Sequence, residues 1–155
     1  MNISNIEVSI ILPAYNSSSF ICNSINHLIS FFVQQKINGE VIVVDDGSQD
    51  NTIEKIPKNE IVRVISFTEN MGKGAAIKRG MLEAKGNVRI FTDADLPYGT
   101  QPILSTINYI SKRKFHAVLG DRTLPGSKYR HIKGLRKVLS EVGSLVFRTL
   151  ITGGY

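Results

Sequence analysis

A short stretch in the middle of the chain decides the fold: Val88-Arg89-Ile90-Phe91-Thr92-Asp93-Ala94-Asp95. Its apolar first half predicts a strand buried in a parallel sheet. Such a strand aims the residues that follow it at the carboxyl edge of the sheet, where ligands bind in open α/β folds. Asp93 and Asp95 repel each other there unless a cation lies between them, and Mg²⁺ is commonly held by one or two carboxylates plus substrate phosphates. An isolated Asp-x-Asp is equally compatible with a helix cap beside a solvated acid, so the rest of the chain must decide.

Apolar runs alternate with amphipathic stretches on both sides of this segment. Strands are predicted over residues 8–12, 41–44, 61–65, 88–91 and 117–120. Helices are predicted over about 20–35, 52–56 and 72–85, from Thr100 onward, and over about 132–146. This alternation indicates the α/β class, with a mostly parallel central sheet flanked by helices and joined by right-handed crossovers.

Each predicted strand ends in a polar loop, and these loops should meet at one edge of the sheet. Besides the acidic pair, they are Pro13-Ala14-Tyr15-Asn16, Asp45-Asp46-Gly47-Ser48, Glu69-Asn70-Met71-Gly72-Lys73-Gly74 and Gly120-Asp121-Arg122. Taken singly, each is explained as a turn, a relaxed helix entry or a surface charge. Taken together, they supply the parts of a nucleotide-sugar site.

The chemistry of each part suits one portion of such a ligand. Tyr15 offers a ring face to a base, and Asp45 or Asp46, expected at the surface, can accept hydrogen bonds from base or ribose. Gly72, with Gly74, lets backbone approach phosphate at a helix start, which favours anions. Lys73 adds a point charge, and the acidic pair can hold a metal across a diphosphate.

These blocks resemble the family 2 glycosyltransferases of the GT-A fold, a Rossmann-like nucleotide-sugar-binding fold. The similarity extends over nearly the whole chain and is greatest to the dolichyl- and polyprenyl-phosphate mannose or glucose synthases. The matching blocks are Ile-Leu-Pro-Ala-Tyr-Asn, Val-Val-Asp-Asp-Gly-Ser-Gln-Asp-Asn-Thr, Asn-Met-Gly-Lys-Gly-Ala-Ala and Phe-Thr-Asp-Ala-Asp. Two positions depart from the family pattern: Ser17 stands where an acid is usual, and Asp121 replaces a small polar residue.

The resemblance implies roles for particular residues. The donor would be bound by Pro13, Ala14, Tyr15, Asp45, Asp46, Gly72, Lys73, Asp93 and Ala94. Asp93 and Asp95 would hold Mg²⁺ or Mn²⁺, and Asp95 and Arg122 would serve catalysis, with Arg122 near the donor or acceptor phosphate.

The resemblance also implies an activity. A sugar would move, with inversion, from a UDP- or GDP-linked donor to a polyprenyl or dolichyl phosphate. A polysaccharide or other glycan acceptor is an alternative, as is donor binding without turnover. Residues 1–155 would form one donor-binding domain, truncated at its carboxyl end. A phosphoryl-transfer receiver or phosphatase also uses strand-end acids with Mg²⁺, but it needs a lysine on a late strand, where only Asp121-Arg122 is found.

Composition limits the expected cellular location and the expected binding partners. No run approaches the roughly 20 apolar residues of a membrane helix, and no signal peptide is recognisable, so a cytoplasmic location or the cytoplasmic membrane face is expected. The single Cys22 fits a reducing compartment and is expected in the core. Residues 112–137 contain nine Lys or Arg and one acid, which favours substrate phosphates or an anionic membrane as partners. Nucleic acid is not expected, since no recognition motif is present.

Overall fold

The computed structural model describes residues 6–120, which contain four strands and three α-helices. In chain order they are β1 (Val8–Ala14), α1 (Ile21–Gln35), β2 (Gly39–Asp45), β3 (Val62–Ser66), α2 (Lys73–Glu83), β4 (Val88–Phe91) and α3 (Gln101–Arg113), with a 3-10 turn at Ile53–Lys55 before β3. All but the last two described residues belong to one compact unit, Met1–Val118.

The four strands form one parallel sheet in the order β3-β2-β1-β4. Ala14 at the end of β1 lies opposite Asp45 at the end of β2, and Ile11 lies opposite Phe91 of β4. The chain first adds strands on one side of β1 and then returns to add β4 on the other side. In open α/β sheets this reversal of order leaves a crevice at the carboxyl ends of the strands.

Helices cover both faces of the sheet. Alternate residues of β1 point to opposite faces, so Ile10 and Leu12 pack with α1 and α3 while Ile11 packs with α2. Helix α2 lies very close to the sheet, because a Cβ built on Gly80 would be 2.4 Å from the Cγ2 atom of Ile11. A larger residue at Gly80 would push away the helix whose first turn reaches the carboxyl edge.

A buried carboxylate holds the opposite, amino edge of the sheet. Glu40 of β2 is 2 % exposed. Its Oε1 atom accepts hydrogen bonds from the Ser9 hydroxyl at 2.7 Å and the Lys85 backbone N–H at 2.8 Å, and Arg63 donates to its Oε2 atom at 2.9 Å. The network joins three strands to the segment that follows α2, so its role is structural.

The predicted α/β fold with a mostly parallel sheet is confirmed, and the first four predicted strands are present. The predicted strand at 117–120 is wrong: these residues have no strand pairing, and Leu119 is 87 % exposed. A four-residue apolar run does not by itself distinguish a strand from a loop, and no neighbouring strand covers this one in the described part. Cys22 is half-buried rather than in the core. Arg122, Asp121, the predicted helix at 132–146 and most of the basic segment lie outside the described residues.

Candidate functional site

A cleft of about 240 Å³ opens at the carboxyl edge of the sheet. It is lined by Pro13, Ala14, Tyr15, Asp46, Asn70, Gly72 and Lys73. The lining thus combines the end of β1 with Tyr15, Asp46 directly after β2, and Asn70 with the beginning of α2. Tyr15 is 45 % exposed and presents its ring at this opening, as a stacking surface for a planar ligand requires.

Asp46 organises one wall of the cleft. Its side chain is almost fully buried, and its two oxygens accept hydrogen bonds from the backbone N–H groups of Met71 at 2.8 Å and Gly72 at 3.0 Å. Gly72 has φ of 91°, a conformation that disfavours other residues, and it is the residue from which α2 begins. Asp46 therefore fixes where α2 starts and where Lys73 stands.

Asp45 does not line the cleft. It is 1 % exposed, and its Oδ2 atom accepts a hydrogen bond from the Ser48 N–H at 3.3 Å. Its Oδ1 atom is buried without a partner among the described residues. The expectation that Asp45 and Asp46 lie at the surface is wrong, because both carboxylates turn inward to the backbone amides of loops that fold over β2.

The loop after β1 is fastened to the loop after β2 by side chains. The Asn16 N–H donates to the Ser48 hydroxyl at 2.9 Å, and the Asn16 side-chain oxygen accepts from the Gln49 N–H at 2.8 Å. Asn16 has φ of 48°, a left-handed conformation that asparagine tolerates better than most residues. These bonds hold the residue next to Tyr15, so the ring is presented by a fixed loop.

A second group of hydrogen bonds between these loops is centred on Asp50. Its carboxylate accepts hydrogen bonds from the Thr52 hydroxyl, from the Thr52 N–H at 3.0 Å and from the Ser18 N–H at 3.2 Å. The Thr52 hydroxyl oxygen accepts in turn from the Ser17 N–H at 2.7 Å. Hydrogen bonding from Thr52, above all, lowers the pKa of Asp50 from 3.8 to about 2. Ser17, where the family pattern has an acid, is 4 % exposed, and its hydroxyl donates to the Tyr15 carbonyl oxygen.

The acidic pair after β4 is exposed. Ala94 between the two acids is buried at 6 %, while the side chain of Asp93 is half-exposed and Asp95 is exposed. A turn follows, in which the Leu96 N–H donates to the Asp93 carbonyl oxygen at 3.0 Å. The Lys73 ammonium group forms an ion pair with the Asp93 carboxylate, which joins the beginning of α2 to the acidic pair.

The carboxylates of Asp93 and Asp95 fit a divalent cation as a partial set of ligands. Both are hard oxygen donors that water can reach, as Mg²⁺ and Mn²⁺ prefer. Within residues 6–120 there is no group of three or more His, Cys, Asp or Glu side chains that could hold a metal.

The cleft brings together six of the predicted donor-binding residues, namely Pro13, Ala14, Tyr15, Asp46, Gly72 and Lys73. Asp93 joins them through its ion pair with Lys73, whereas Asp45, Ala94 and Asp95 do not line the cleft. Asn70 lines it and was not among the predicted site residues. Its position immediately before Met71 and Gly72, in a loop already expected at this edge, was the available sequence clue.

Comparison with known proteins identifies the class. Residues 9–152 match the model of glycosyl transferase family 2. Because that match covers most of the chain, the chain belongs to this family.

Several similar proteins within the family carry the names of dolichyl-phosphate sugar transferases. The chain is 41 % identical over 103 residues to a dolichyl-phosphate beta-glucosyltransferase of Drosophila melanogaster, covering 59 % of the chain and 31 % of that protein. It is 32 % identical to the dolichyl-phosphate beta-glucosyltransferase ALG5C of Trichomonas vaginalis, and this match covers 96 % of the chain and 47 % of that protein. It is also 32 % identical to a dolichol-phosphate mannosyltransferase of Pyrococcus furiosus, and this match covers 92 % of the chain and 40 % of that protein. The chain therefore spans less than half the length of these relatives.

Solved structures share the fold. The structure of residues 1–349 of TarS from S. aureus matches with a TM-score of 0.56 at 26 % identity, covering 70 % of this chain and 33 % of that one. The mannosyltransferase PcManGT from Pyrobaculum calidifontis, in complex with GDP-Man and Mn²⁺, matches with a TM-score of 0.59 at 23 % identity. This match covers 70 % of the chain and 33 % of PcManGT. The GT-A fold implied by the sequence resemblance is confirmed.

One further finding concerns the helices. In the part of the chain that the structure describes, none combines the length and the apolar character needed to cross a membrane.

Proposed function

We propose that the cleft binds the nucleoside-diphosphate sugar donor of a glycosyltransferase. The observation that carries this proposal is the placement of Tyr15, the beginning of α2 and Lys73 around one opening, with Asp93 tied to Lys73. An aromatic ring suits a base, whereas a lysine at a helix start suits a diphosphate. TarS, whose structure was also solved in complex with UDP-GlcNAc, is similar to this chain at 26 % identity and supports a nucleotide-sugar donor.

The reaction we propose is inverting transfer of the sugar to an acceptor oxygen. The acceptor attacks the anomeric carbon from the face opposite the nucleoside diphosphate, and the bond from that carbon to the diphosphate oxygen breaks. Asp93 and Asp95 would hold Mg²⁺ or Mn²⁺, which supplies positive charge for the leaving diphosphate. Lys73 and the α2 start stabilise the same developing charge, since fixed cations and dipoles act where charge accumulates. We assign Asp95 and Arg122 to the catalytic step.

The acceptor we propose is a polyprenyl or dolichyl phosphate. The names of the relatives from D. melanogaster, T. vaginalis and P. furiosus support this class of acceptor. A phosphate monoester is largely ionised near neutral pH, so its oxygen attacks with little help from a base. A polysaccharide or other glycan acceptor would instead need a general base to remove a hydroxyl proton.

A second candidate function is donor binding without turnover. The observation that favours it is the described cleft, whose lining accounts for the binding of a donor and does not include Asp95. A protein of this kind would bind the donor and transfer no sugar. Incubation of the chain with a radiolabelled UDP- or GDP-sugar, with and without dolichyl phosphate, separates the candidates. Label in the lipid fraction supports transfer, whereas binding of the donor with neither transfer nor hydrolysis supports the second candidate.

Donor binding itself is tested by thermal shift and calorimetry with UDP and GDP, each with Mn²⁺, with Mg²⁺ and with EDTA. A nucleotide at 100 times its Kd raises the free energy of unfolding by about 2.7 kcal/mol, an effect large enough to detect. The proposal fails if neither nucleotide stabilises the chain in the presence of either metal.

We also propose that the basic segment, residues 112–137, contacts an anionic membrane near the acceptor. Its support is the charge imbalance in the sequence, and basic residues near an anionic surface contribute about 1 kcal/mol each. Binding to vesicles should rise with their content of anionic lipid and fall with added salt. Charge reversal at Lys128, Arg130 and Lys133 should reduce it. Binding that is indifferent to salt contradicts this proposal.

A further inference from the structure

We propose that Lys73 is a built-in competitor of the divalent cation at Asp93, and that the donor diphosphate draws Lys73 away when donor and metal bind together. This inference rests on the proposed donor-binding function and adds a coupling to it: nucleotide and metal each favour the binding of the other, because the ion pair occupies both the lysine and the carboxylate beforehand.

The first step of the argument is the position of Lys73. It is the first residue of α2, it lines the cleft, and its ammonium group is paired with the Asp93 carboxylate. One cation therefore lies between the helix start, where a diphosphate is favoured, and the carboxylate, where a metal is favoured. A lysine has four rotatable side-chain bonds, so its ammonium group can exchange between the two partners while its backbone stays fixed.

The second step is that the backbone at Lys73 is held in place. Asp46 accepts hydrogen bonds from the N–H groups of Met71 and Gly72, the two residues before it. The side chains of Lys73 and Asp93 are by contrast 57 % and 50 % exposed. An ion pair this exposed is weak, worth at most about 1 kcal/mol, so it can be broken readily by a competing ligand.

The third step is charge balance. The described acidic pair carries two carboxylates, and Lys73 neutralises one of them in the absence of ligand. A divalent cation that binds alone must either displace Lys73, which breaks the ion pair, or bind close to it, which costs free energy because like charges repel. A nucleoside diphosphate removes this cost. Its oxygens would accept hydrogen bonds from the Lys73 ammonium group, and they would also supply further ligands to the metal.

The test is a comparison of Mn²⁺ affinity and nucleotide affinity in the same variants of the chain. Free Mn²⁺ is measured by electron paramagnetic resonance, and UDP and GDP binding by calorimetry. Lys73→Gln removes the charge, and Lys73→Arg keeps it. Lys78→Gln removes an exposed charge from the same helix at a residue that does not line the cleft, and serves as the matched control. Thermal unfolding of each variant confirms that it is folded.

We expect Lys73→Gln to change the two affinities in opposite directions. Mn²⁺ alone should bind up to about fivefold more tightly, which corresponds to about 1 kcal/mol for an exposed ion pair. The nucleotide with Mn²⁺ should bind at least about threefold more weakly, because an exposed charge contact is lost. Lys73→Arg should stay near the unmodified chain in its affinity for Mn²⁺, and Lys78→Gln should change neither affinity.

Failure of this inference is distinct from failure of the proposed function. If the nucleotide binds with Mn²⁺ but Lys73→Gln leaves the Mn²⁺ affinity unchanged or weaker, the competition is overturned and donor binding stands. If Lys78→Gln reproduces the effect of Lys73→Gln, a general charge effect replaces the specific exchange. If the unmodified chain binds neither UDP nor GDP, the proposed function fails and the exchange fails with it.

Discussion

Two acidic pairs follow two parallel strands of the same sheet, and the structure gives them opposite environments. Asp45 ends β2 and Asp46 follows it; they are 1 % and 3 % exposed, and three of their four carboxylate oxygens accept hydrogen bonds from backbone N–H groups. Asp93 and Asp95 follow β4 and are exposed, and the described contact of Asp93 is with a lysine that can move. Asp46 of the first pair forms part of the cleft wall, while the second pair is accessible to a ligand.

The position of the parent strand explains the difference. Strand β2 is flanked by β1 and β3, so loops close over its end from both sides, whereas β4 is at the edge of the described four-stranded sheet. Carboxylates under closed loops are stable only if backbone amides satisfy them. A substitution in the first pair should therefore lower stability and affinity together, while one in the second should lower affinity alone.

The largest effect is expected from a third carboxylate, Glu40, which is buried like the first pair but lies at the opposite edge of the sheet. Glu40→Ala should lower the free energy of unfolding by about 3 kcal/mol, because the Lys85 N–H loses its acceptor and Arg63 loses the nearer of its two carboxylate partners. Urea unfolding measures the loss. Nucleotide affinity of the folded fraction should not change, and Glu60→Ala, at an exposed position, is the control. A large loss of nucleotide affinity would show that burial alone does not separate structural acids from functional ones.

The next largest loss of stability is expected on substitution of Asp46. Asp46→Ala should lower the free energy of unfolding by about 2 kcal/mol, since two hydrogen bonds to a charged acceptor are lost. Nucleotide affinity should fall as well, because the beginning of α2 loses its anchor. Asp46→Asn keeps one acceptor oxygen and should have a smaller effect on both. An Asp46→Ala chain as stable as the unmodified one would contradict the assignment of this acid to the cleft wall.

Substitution of the exposed pair, Asp93 and Asp95, should lower metal affinity and leave stability almost unchanged. Replacing Asp93 and Asp95 together by Asn should lower Mn²⁺ affinity in the presence of UDP or GDP by at least about tenfold, because both anionic ligands are removed. The free energy of unfolding should change by no more than about 0.5 kcal/mol, as is usual for exposed positions. Glu69→Gln, an exposed acid of a neighbouring loop, is the control. Loss of stability without loss of metal affinity would make the pair structural.

The comparison also shows what the sequence can predict. Apolar runs and the alternation of strands with helices predicted the parallel sheet and the edge at which Pro13, Tyr15 and Lys73 meet. The burial of Asp46 was not predictable from its loop, because its hydrogen bonds come from Met71 and Gly72, about 25 residues further along the chain. The predicted strand at 117–120 failed for a related reason, since a short apolar run becomes a strand only if a neighbouring strand pairs with it.

The smallest effect is expected from Asp50, which fastens the loop after β2 to the loop after β1. Hydrogen bonds, chiefly from Thr52, lower its pKa from 3.8 to about 2 in the folded chain. A carboxylate with a depressed folded pKa contributes stability above its unfolded pKa and loses that contribution as pH falls through the folded value. The difference in unfolding free energy between the unmodified chain and Asp50→Asn should therefore be constant above about pH 5 and shrink as the pH falls from there through 3.8 to about 2. Urea unfolding of both chains from pH 2 to 6 measures it, and the other carboxylates cancel because both chains contain them. A difference that does not vary with pH would mean that Asp50 fastens the loops without its charge.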